Sequence, residues 1–378
     1  MTNKSGHLVI ATGGTGGHFY PGLAVARAFQ RQGGTVSLVV SGQHAANHIE
    51  AARKEGVVAF PCPAFKLPKG PSSCVCFGPR ILFGVFRAKT ILKQLGADFV
   101  LGMGSFASFP PCMAAVLSRL PLFLHDGNAV VGQANRFLSR WADCLALSLP
   151  LAPGQSTRCP TKVTGMPVRQ RILQAVAVPE EKDRLSANLG LNSQRKTLLI
   201  FGGSQGAAFI NNLACECAPR WGQSPVQIIH LTGQEDNRAL VNAYAAAGIP
   251  AVVKGYEPAM EKVYAVADWV MCRSGGGTLA ELALFGLPPV LIPIPGSSLD
   301  HQRLNAAVLE RAGAAVVLDQ KTLTPADVNQ HVTSFFETPA TWSERADKIR
   351  SFATPRAASA IVDMIYVETG KKRRRGHR

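Results

Sequence analysis

The chain has 378 residues, a length that exceeds one ordinary hydrophobic core and suits two domains. Its 47% apolar and 17% charged residues exclude an intrinsically disordered protein, and its net charge of +16 favours an anionic partner: nucleic acid, a lipid surface or a phosphorylated substrate. Nine cysteines without a C-x-x-C pair argue against a zinc ribbon and a disulfide scaffold.

Two glycine-rich loops divide the predicted elements into two similar series. The first series begins with the apolar run HLVI at 7–10, followed by GGTGGH at 13–18 and a helical pattern. The second begins with KTLLIF at 196–201, followed by GGSQGA at 202–207 and another helical pattern. Further apolar runs predict strands within 36–40, 97–105, 120–127, 226–233, 268–275 and 288–295. Because these strands alternate with helices, we expect an α/β protein with two Rossmann-like, doubly wound domains that face each other across a cleft.

The first series ends near TGMPVRQRI at 164–172, where we place the domain boundary. The expected division is an N-terminal domain at 1–168, a C-terminal domain at 169–365 and a basic tail at 366–378. The N-terminus lacks the long apolar segment of a signal peptide, and no apolar run reaches about 18 residues. We therefore expect no signal peptide and no transmembrane span.

A glycine loop between a strand and a helix presents free N–H groups to an anion. Neither loop matches G-x-G-x-x-G or the P-loop pattern, so a NAD enzyme or an ATPase is poorly supported. In RSGGGTLAEL at 273–282, Glu281 follows such a loop, where a carboxylate accepts ribose hydroxyls or merely stabilises a helix start. His18 closes the first loop with an ionisable ring, where a histidine can cap the helix or bind phosphate.

The segment 79–95, PRILFGVFRAKTILKQL, interleaves cations with apolar residues. As a helix it would have a basic edge and a wide apolar face, which is typical either of a core helix or of a surface that enters lipid headgroups. We expect contact with an anionic membrane surface, and no nucleic acid, because no nucleic-acid module is recognisable. The predicted membrane residues are Arg80, Phe83, Phe86, Arg87, Lys89 and Lys93.

Several segments together resemble one protein family. In order and spacing they are GGTGGHFYPGLAVA, HDGN, TGMPVR, GGSQGAAFINN, RSGGGTLAEL, GLPPVLIPIP and DHQRLNA. The chain resembles the MurG family of bacterial peptidoglycan glycosyltransferases from about residue 7 to about residue 315. The resemblance implies the GT-B architecture of two Rossmann-like domains.

The resemblance also implies an inverting hexosyltransferase that needs no metal or other cofactor. Its donor would be UDP-N-acetylglucosamine (UDP-GlcNAc). Its acceptor would be the C4 hydroxyl of N-acetylmuramic acid (MurNAc) on undecaprenyl-pyrophosphoryl-MurNAc-pentapeptide. Such enzymes act peripherally at the cytoplasmic face of the cell membrane, in cell-wall synthesis, cell shape and cell division.

Site residues follow from the resemblance position by position. Those implied for the donor diphosphate and nucleotide are Ser204, Gln205, Gly206, Gly276, Gly277 and Thr278. Those implied for the ribose, the uracil and the donor sugar are Arg169, Tyr256, Glu257, Glu281, Gln302 and Asn305. Those implied for the acceptor's pyrophosphate and the transferred sugar are Thr15, Gly16, Gly17 and Asn128.

Two candidates for the catalytic base remain, His18 and Asp126. The family usually reads H-E-Q-N where this chain has HDGN, and Asn where this chain has Met166. The sequence GMGSFASFP at 102–110 also replaces a more usual glycine-tyrosine pair. Three alternatives remain open: a UDP-sugar transferase with another acceptor, a UDP-sugar epimerase, and a non-catalytic UDP-sugar-binding membrane scaffold. The altered HDGN is the feature that favours the scaffold.

Overall fold

The computed structural model describes residues 6–63, 71–203, 207–233 and 236–375, except the side chains of 71–77, 207 and 372–375. The chain divides into two compact units. Unit 1 comprises Met1–Arg169 together with Thr354–Arg378, and unit 2 comprises Gln170–Ala353.

The elements alternate between strands and helices along most of the chain. The strands are β1 His7–Gly13, β2 Thr35–Ser41, β3 Val58–Pro61, β4 Phe99–Gly102, β5 Leu122–Asp126, β6 Cys144–Leu147, β7 Thr161–Val163, β8 Lys196–Phe201, β9 Val226–Leu231, β10 Ala251–Lys254, β11 Trp269–Cys272, β12 Pro289–Leu291 and β13 Val316–Val317. The α-helices are α1 Gly16–Arg31, α2 Ala45–Lys54, α3 Pro71–Gln94, α4 Phe109–Leu117, α5 Gln133–Leu138, α6 Gln170–Ala177, α7 Lys182–Asn188, α8 Ala207–Trp221, α9 Arg238–Ala246, α10 Met260–Val266, α11 Gly276–Phe285, α12 His301–Arg311, α13 Pro325–Glu337, α14 Pro339–Arg350 and α15 Ala357–Arg375.

Each unit contains one parallel sheet. Unit 1 has the strand order β3-β2-β1-β4-β5-β6-β7, and unit 2 has the order β10-β9-β8-β11-β12-β13. All strand pairs are parallel. The two predicted doubly wound α/β sheets are therefore confirmed, and each of the eight predicted apolar runs contains a strand.

Both faces of the unit 1 sheet are covered, which explains why its central strands are continuously apolar. Successive side chains of β1 point to opposite faces: Leu8 and Ile10 join one core, while Val9 and Ala11 join another. The first core is closed by α1, α2 and α15, and the second by α3, α4 and α5. Unit 2 has its own core around β8, β9 and β11.

The order of strands reverses direction at one point in each sheet. In unit 1 this switch point lies between β1 and β4, and in unit 2 it lies between β8 and β11. Chains leaving neighbouring strands at a switch point diverge to opposite faces and leave a crevice at the carboxyl edge of the sheet, where ligands of such folds bind. The first glycine loop follows β1, the second follows β8, and the RSGGG turn follows β11.

The C-terminus departs from the expected division of the chain. We placed residues up to 365 in the second domain and a separate tail at 366–378, whereas α15 packs against α1 and belongs to unit 1. Its apolar residues Ile361, Val362 and Ile365 are fully buried in the unit 1 core, and Tyr366 stacks on Phe29 with ring centroids 5.4 Å apart. Burial of this apolar stripe, rather than proximity in sequence, determines where the helix packs. Residues 376–378 of the predicted tail lie outside the described residues.

Among the residues that the structure describes, no helix is long and apolar enough to cross a membrane.

Candidate active site

The first glycine loop lies tightly against the end of β2. Gly13 and Gly14 have φ angles of 137° and 78°, and a Cβ on Gly13 would lie 2.0 Å from the carbonyl oxygen of Ser41. Gly14 N donates to that same oxygen at 3.0 Å. Only glycine fits so close to the carbonyl oxygen of Ser41. The tight loop therefore lets α1 begin directly at the carboxyl edge of the sheet.

The start of α1 is open to a ligand. Thr15 is the N-cap residue, but its side chain makes no capping hydrogen bond to the helix. Thr15 and Gly17 are exposed and Gly16 is half-buried. Because the first N–H groups of a helix favour an anion, the predicted acceptor-side residues form a suitable surface for a phosphate or sugar.

His18 occupies the first turn of α1, and its ring is held by the end of β4. Its Nδ1 lies 2.9 Å from the carbonyl oxygen of Met103, and its own carbonyl oxygen accepts from Thr12 Oγ1 at 2.9 Å. A carbonyl only accepts, so this contact assigns the proton of the neutral ring to Nδ1. Nε2 of that tautomer carries the lone pair that a general base requires.

Asp126 is the last residue of β5 and is 5% exposed. Its Oδ2 accepts from Gly132 N at 2.8 Å and from Asn135 Nδ2 at 3.0 Å, and its Oδ1 accepts from Asn128 N at 3.2 Å. Burial raises the pKa of Asp126, while these hydrogen bonds and the charge of His18 oppose that rise. Both carboxylate oxygens are thus occupied in holding the turn at 127–135.

Gly104 lies between the ring of His18 and Asn135, which is a hydrogen-bond partner of Asp126. It has a φ of 85°, and a Cβ there would lie 3.4 Å from Asn135 Nδ2 and 3.5 Å from His18 Cε1. Asn135, which is 1% exposed, also donates to the carbonyl oxygen of His125 at 2.8 Å. The structure therefore brings His18 and the hydrogen-bond network of Asp126 together at the switch point of unit 1.

Two of the departures from the family pattern, Gly127 and Met166, lie beside each other. A Cβ on Gly127 would lie 3.4 Å from Met166 Cε and 3.5 Å from its Sδ. Ser148 Oγ lies 3.2 Å from that sulfur and 3.0 Å from Nε2 of His125. Burial and the charge of His18 lower the pKa of His125 to about 3, so this ring is neutral at physiological pH.

In unit 2, the end of β11 leads through Gly275 into α11, whose N-terminus has no side-chain cap. Gly276 is buried, and Gly277 and Thr278 are half-buried. The Glu281 side chain lies one turn further along, where its Oε2 accepts from Tyr264 OH at 3.0 Å. This contact orients the carboxylate at the same edge as the uncapped N–H groups.

The remaining donor-side residues differ in exposure. Gln302 Oε1 accepts from Ile294 N at 3.0 Å, and Asn305, fully buried, donates from Nδ2 to the carbonyl oxygen of Ser274 at 3.0 Å. Tyr256 is 77% exposed. Glu257 forms an ion pair with Lys254 at 2.9 Å, and this pairing lowers the pKa of Glu257.

The last donor-side predictions concern residues 204–206 and Arg169. Ser204, Gln205 and Gly206 lie outside the described residues. Arg169 is the last residue of the first segment of unit 1, and its guanidinium lies 5.8 Å from the ring centroid of Tyr20. Within the described ranges, no three His, Cys, Asp or Glu side chains are grouped as candidate metal ligands.

Sequence reasoning missed three contributors. Asn135 and Tyr264 position a predicted site residue each, and Arg273 places a guanidinium, 6% exposed, at the end of β11. Arg273 Nη1 donates to the carbonyl oxygen of Ile292 at 2.7 Å, and burial lowers the pKa of this side chain. Only Arg273 had a signal in the sequence: a cation directly after an apolar strand and before a glycine turn.

The predicted membrane residues lie on the outward face of α3. Val85, Ala88, Ile91 and Leu92 are buried in the core, so the opposite side faces away from the sheet. Phe83 and Phe86 are 63% and 62% exposed. The four cations on the same outward side, all exposed, are Arg80, Arg87, Lys89 and Lys93.

Comparison with known proteins identifies the family. Residues 8–147 match the glycosyltransferase family 28 N-terminal domain, and residues 197–361 match its C-terminal domain. A UDP-N-acetylglucosamine–N-acetylmuramyl-(pentapeptide) pyrophosphoryl-undecaprenol N-acetylglucosamine transferase of Streptomyces coelicolor is 33% identical over 98% of this chain and 100% of its own length. The transferase of the same name from Dichelobacter nodosus is 38% identical over 86% of this chain and 88% of its own.

A solved structure agrees with these relatives. The crystal structure of Acinetobacter baumannii MurG is 29% identical, with a TM-score of 0.75 over 96% of this chain and 99% of that one. The match extends through both units, so it includes both parallel sheets of the GT-B fold class. The chain belongs to the MurG family of glycosyltransferase family 28.

Proposed function

We propose that this chain transfers N-acetylglucosamine from UDP-GlcNAc to the C4 hydroxyl of MurNAc on undecaprenyl-pyrophosphoryl-MurNAc-pentapeptide, with inversion at the anomeric carbon. The observation that carries this proposal is the identity of 33% with a transferase of that printed name, over 98% of this chain and 100% of the relative. Relatives of this name support a transferase rather than an epimerase. The reaction would take place at the cytoplasmic face of the membrane, without a cofactor and without nucleic acid.

The geometry of unit 1 favours His18 over Asp126 as the base. His18 Nδ1 is oriented by the Met103 carbonyl, so Nε2 would accept the proton of the acceptor hydroxyl as its oxygen attacks the anomeric carbon. Asp126 has both oxygens occupied by three N–H donors and is 5% exposed. Its negative charge would instead stabilise the imidazolium that forms on His18.

Unit 2 supplies groups suited to the donor. As the bond from the anomeric carbon to UDP breaks, its electron pair passes to a phosphate oxygen. The uncapped N-terminus of α11 and the buried guanidinium of Arg273 offer N–H groups and positive charge for that oxygen. Glu281, oriented by Tyr264, would accept the ribose hydroxyls.

The departures at Gly127 and Met166 are compatible with activity. The thioether of Met166 occupies the space beside Gly127, and Asp126 accepts hydrogen bonds from Asn128, Gly132 and Asn135 with both departures in place.

The proposal and the role of His18 are tested by UDP release from UDP-GlcNAc with and without the lipid-linked MurNAc-pentapeptide. We expect release to depend on the acceptor. His18→Ala should lower kcat by roughly 10²- to 10⁴-fold, the usual contribution of a general base, with donor affinity unchanged. A His18→Ala enzyme within a few-fold of the wild type would reject the base assignment. Donor binding without acceptor-dependent release by the wild type would support the scaffold.

Replacement of Glu281 tests the ribose contact. Loss of a hydrogen bond to a charged group is worth about 1.5–3 kcal/mol, so Glu281→Ala should raise the Kd for UDP roughly 10- to 100-fold in calorimetry. Glu310→Ala is the control, because Glu310 is an exposed carboxylate of α12 in the same unit. Equal affinities of the two variants would exclude the ribose role.

A double-mutant cycle tests the packing of Gly127 against Met166. Gly127→Gln should lower the thermal midpoint because its side chain meets the buried thioether of Met166. The double variant Gly127→Gln/Met166→Asn should be more stable than the sum of the single losses predicts, with a coupling of about 0.5–3 kcal/mol. Strictly additive losses would show that the two positions are independent.

Membrane attachment through α3 is tested with vesicles that contain phosphatidylglycerol. Replacement of Arg80, Arg87, Lys89 and Lys93 by Ser should weaken binding, since each cation near an anionic surface contributes about 1 kcal/mol. A charge-matched control replaces four exposed cations elsewhere: Arg53, Lys54, Arg184 and Arg238. Equal loss in both quadruple variants would mean that net charge, and not α3, drives attachment.

A further inference from the structure

A basic cavity of about 260 Å³ opens on the surface of unit 1 where α5 meets the loop at 154–158. Three arginines line it, Arg136, Arg140 and Arg158, together with the hydroxyl-bearing residues Ser139, Ser156 and Thr157. No acidic residue lines this cavity, and neither does any residue assigned above to the donor, the acceptor or α3.

The cavity is held together by hydrogen bonds between its two sides. Arg136 Nη2 donates to Gln155 Oε1 at 3.0 Å. Ser139, which is 1% exposed, accepts from Arg158 N at 3.3 Å and donates from Oγ to the carbonyl oxygen of Arg136 at 2.8 Å. The arginines therefore project from a fixed backbone rather than from an unrestrained loop.

The charge of this cavity is not balanced by nearby carboxylates. In the described part of the chain, none of the ion pairs involves Arg136, Arg140 or Arg158. The acid nearest in sequence, Asp143, accepts from Leu122 N at 3.0 Å at the start of β5. Guanidinium forks beside hydroxyl donors match the oxygens of a phosphate group.

Exposed aromatic rings border the cavity. Phe137 and Trp141 are 42% and 46% exposed, with ring centroids 5.4 Å apart, and the Arg140 guanidinium lies 4.9 Å from the Phe137 centroid. Aromatic rings beside cations are typical of surfaces at the level of lipid headgroups. Phe109 of α4 lies 5.6 Å from Phe137, and α4 also packs against α3. The cavity is thus on the same face of the sheet as α3.

We propose that this cavity binds the phosphate group of an anionic membrane lipid. The proposal rests on the membrane attachment put forward under the proposed function and adds a discrete headgroup site to the cations of α3. The phosphate oxygens accept from the three guanidiniums, and the rings of Phe137 and Trp141 lie at the lipid interface.

The test compares phosphatidylcholine vesicles of equal surface charge whose anionic lipid either carries a phosphate group or carries a carboxylate instead. Phosphatidylcholine vesicles containing either phosphatidylglycerol or oleate are adjusted to equal zeta potential, and binding is measured by sedimentation. Wild-type protein should prefer the phosphatidylglycerol vesicles. Arg136→Gln/Arg158→Gln should lose this preference by roughly tenfold or more, and its binding to oleate vesicles should fall much less.

The matched control is Arg53→Gln/Lys54→Gln, which removes two charges from α2 and should keep the preference. Thermal unfolding of both variants verifies that they fold. Transfer to a short-chain, water-soluble acceptor is measured with the wild type, because this reaction needs no membrane. Failure of that transfer concerns the proposed function, whereas loss or retention of the phosphatidylglycerol preference concerns the cavity.

Two vesicle results would overturn the proposal: unchanged binding of the cavity variant to phosphatidylglycerol, or an equal loss on both vesicle types. A third arm titrates glycerol 1-phosphate without vesicles. If the cavity variant loses binding to glycerol 1-phosphate yet keeps its preference for phosphatidylglycerol vesicles, the ligand is a free phosphate compound and the lipid assignment is wrong.

Discussion

The buried carboxylate of Asp126 imposes the constraint on which the catalytic edge of unit 1 depends. A charge removed from water requires hydrogen-bond donors, and Asp126 obtains them from Asn128, Gly132 and Asn135. Those three bonds determine the course of the turn at 127–135. Through Asn135 and Gly104 the same turn borders His18, so a residue with little access to substrate shapes the space in which the proton is transferred.

The donor side, in unit 2, also places N–H groups and charged side chains at the carboxyl edge of its sheet, but with different residues. There the glycine turn after β11 leaves helix N–H groups uncapped, and Arg273 adds a buried positive charge beneath the turn. Tyr264 fixes Glu281 at the same edge of the sheet. Both units thus use the carboxyl ends of parallel strands, where backbone N–H groups and side chains from separate loops converge.

The sequence was sufficient for the central strands of both sheets, eight of the thirteen described, but not for the C-terminus. The apolar runs of β1 and β8 are long and largely buried, and each precedes a glycine loop, so their order and class could be predicted. The strands β3, β7 and β13 were missed because they are short and partly or fully exposed, so their pattern does not differ from that of loops. The strands β6 and β10, of four residues each, were missed as well. The position of α15 depends on a distant apolar surface on α1, which no local pattern encodes.

The candidate site divides in the same way. The glycine loops and His18 could be recognised because repeated glycines and an ionisable ring follow a predicted strand. Glu281 could be recognised because it lies shortly after another glycine turn. The partners Asn135 and Tyr264 are ordinary residues at ordinary positions, and only the three-dimensional contacts give them a role. The cavity of Arg136 and Arg158 was equally hidden, since these cations are 22 residues apart in the sequence.

The helix α15 belongs to unit 1 but follows unit 2 in the chain, so unit 1 can complete its core only at the end of synthesis. The core around β1 remains without Ile361, Val362 and Ile365 until the ribosome has completed all of unit 2, from Gln170 to Ala353. At typical rates of translation this delay is on the order of ten to forty seconds. For that time the apolar surface of α1 that α15 later covers is open to other contacts, so the first unit to emerge is the last to be finished.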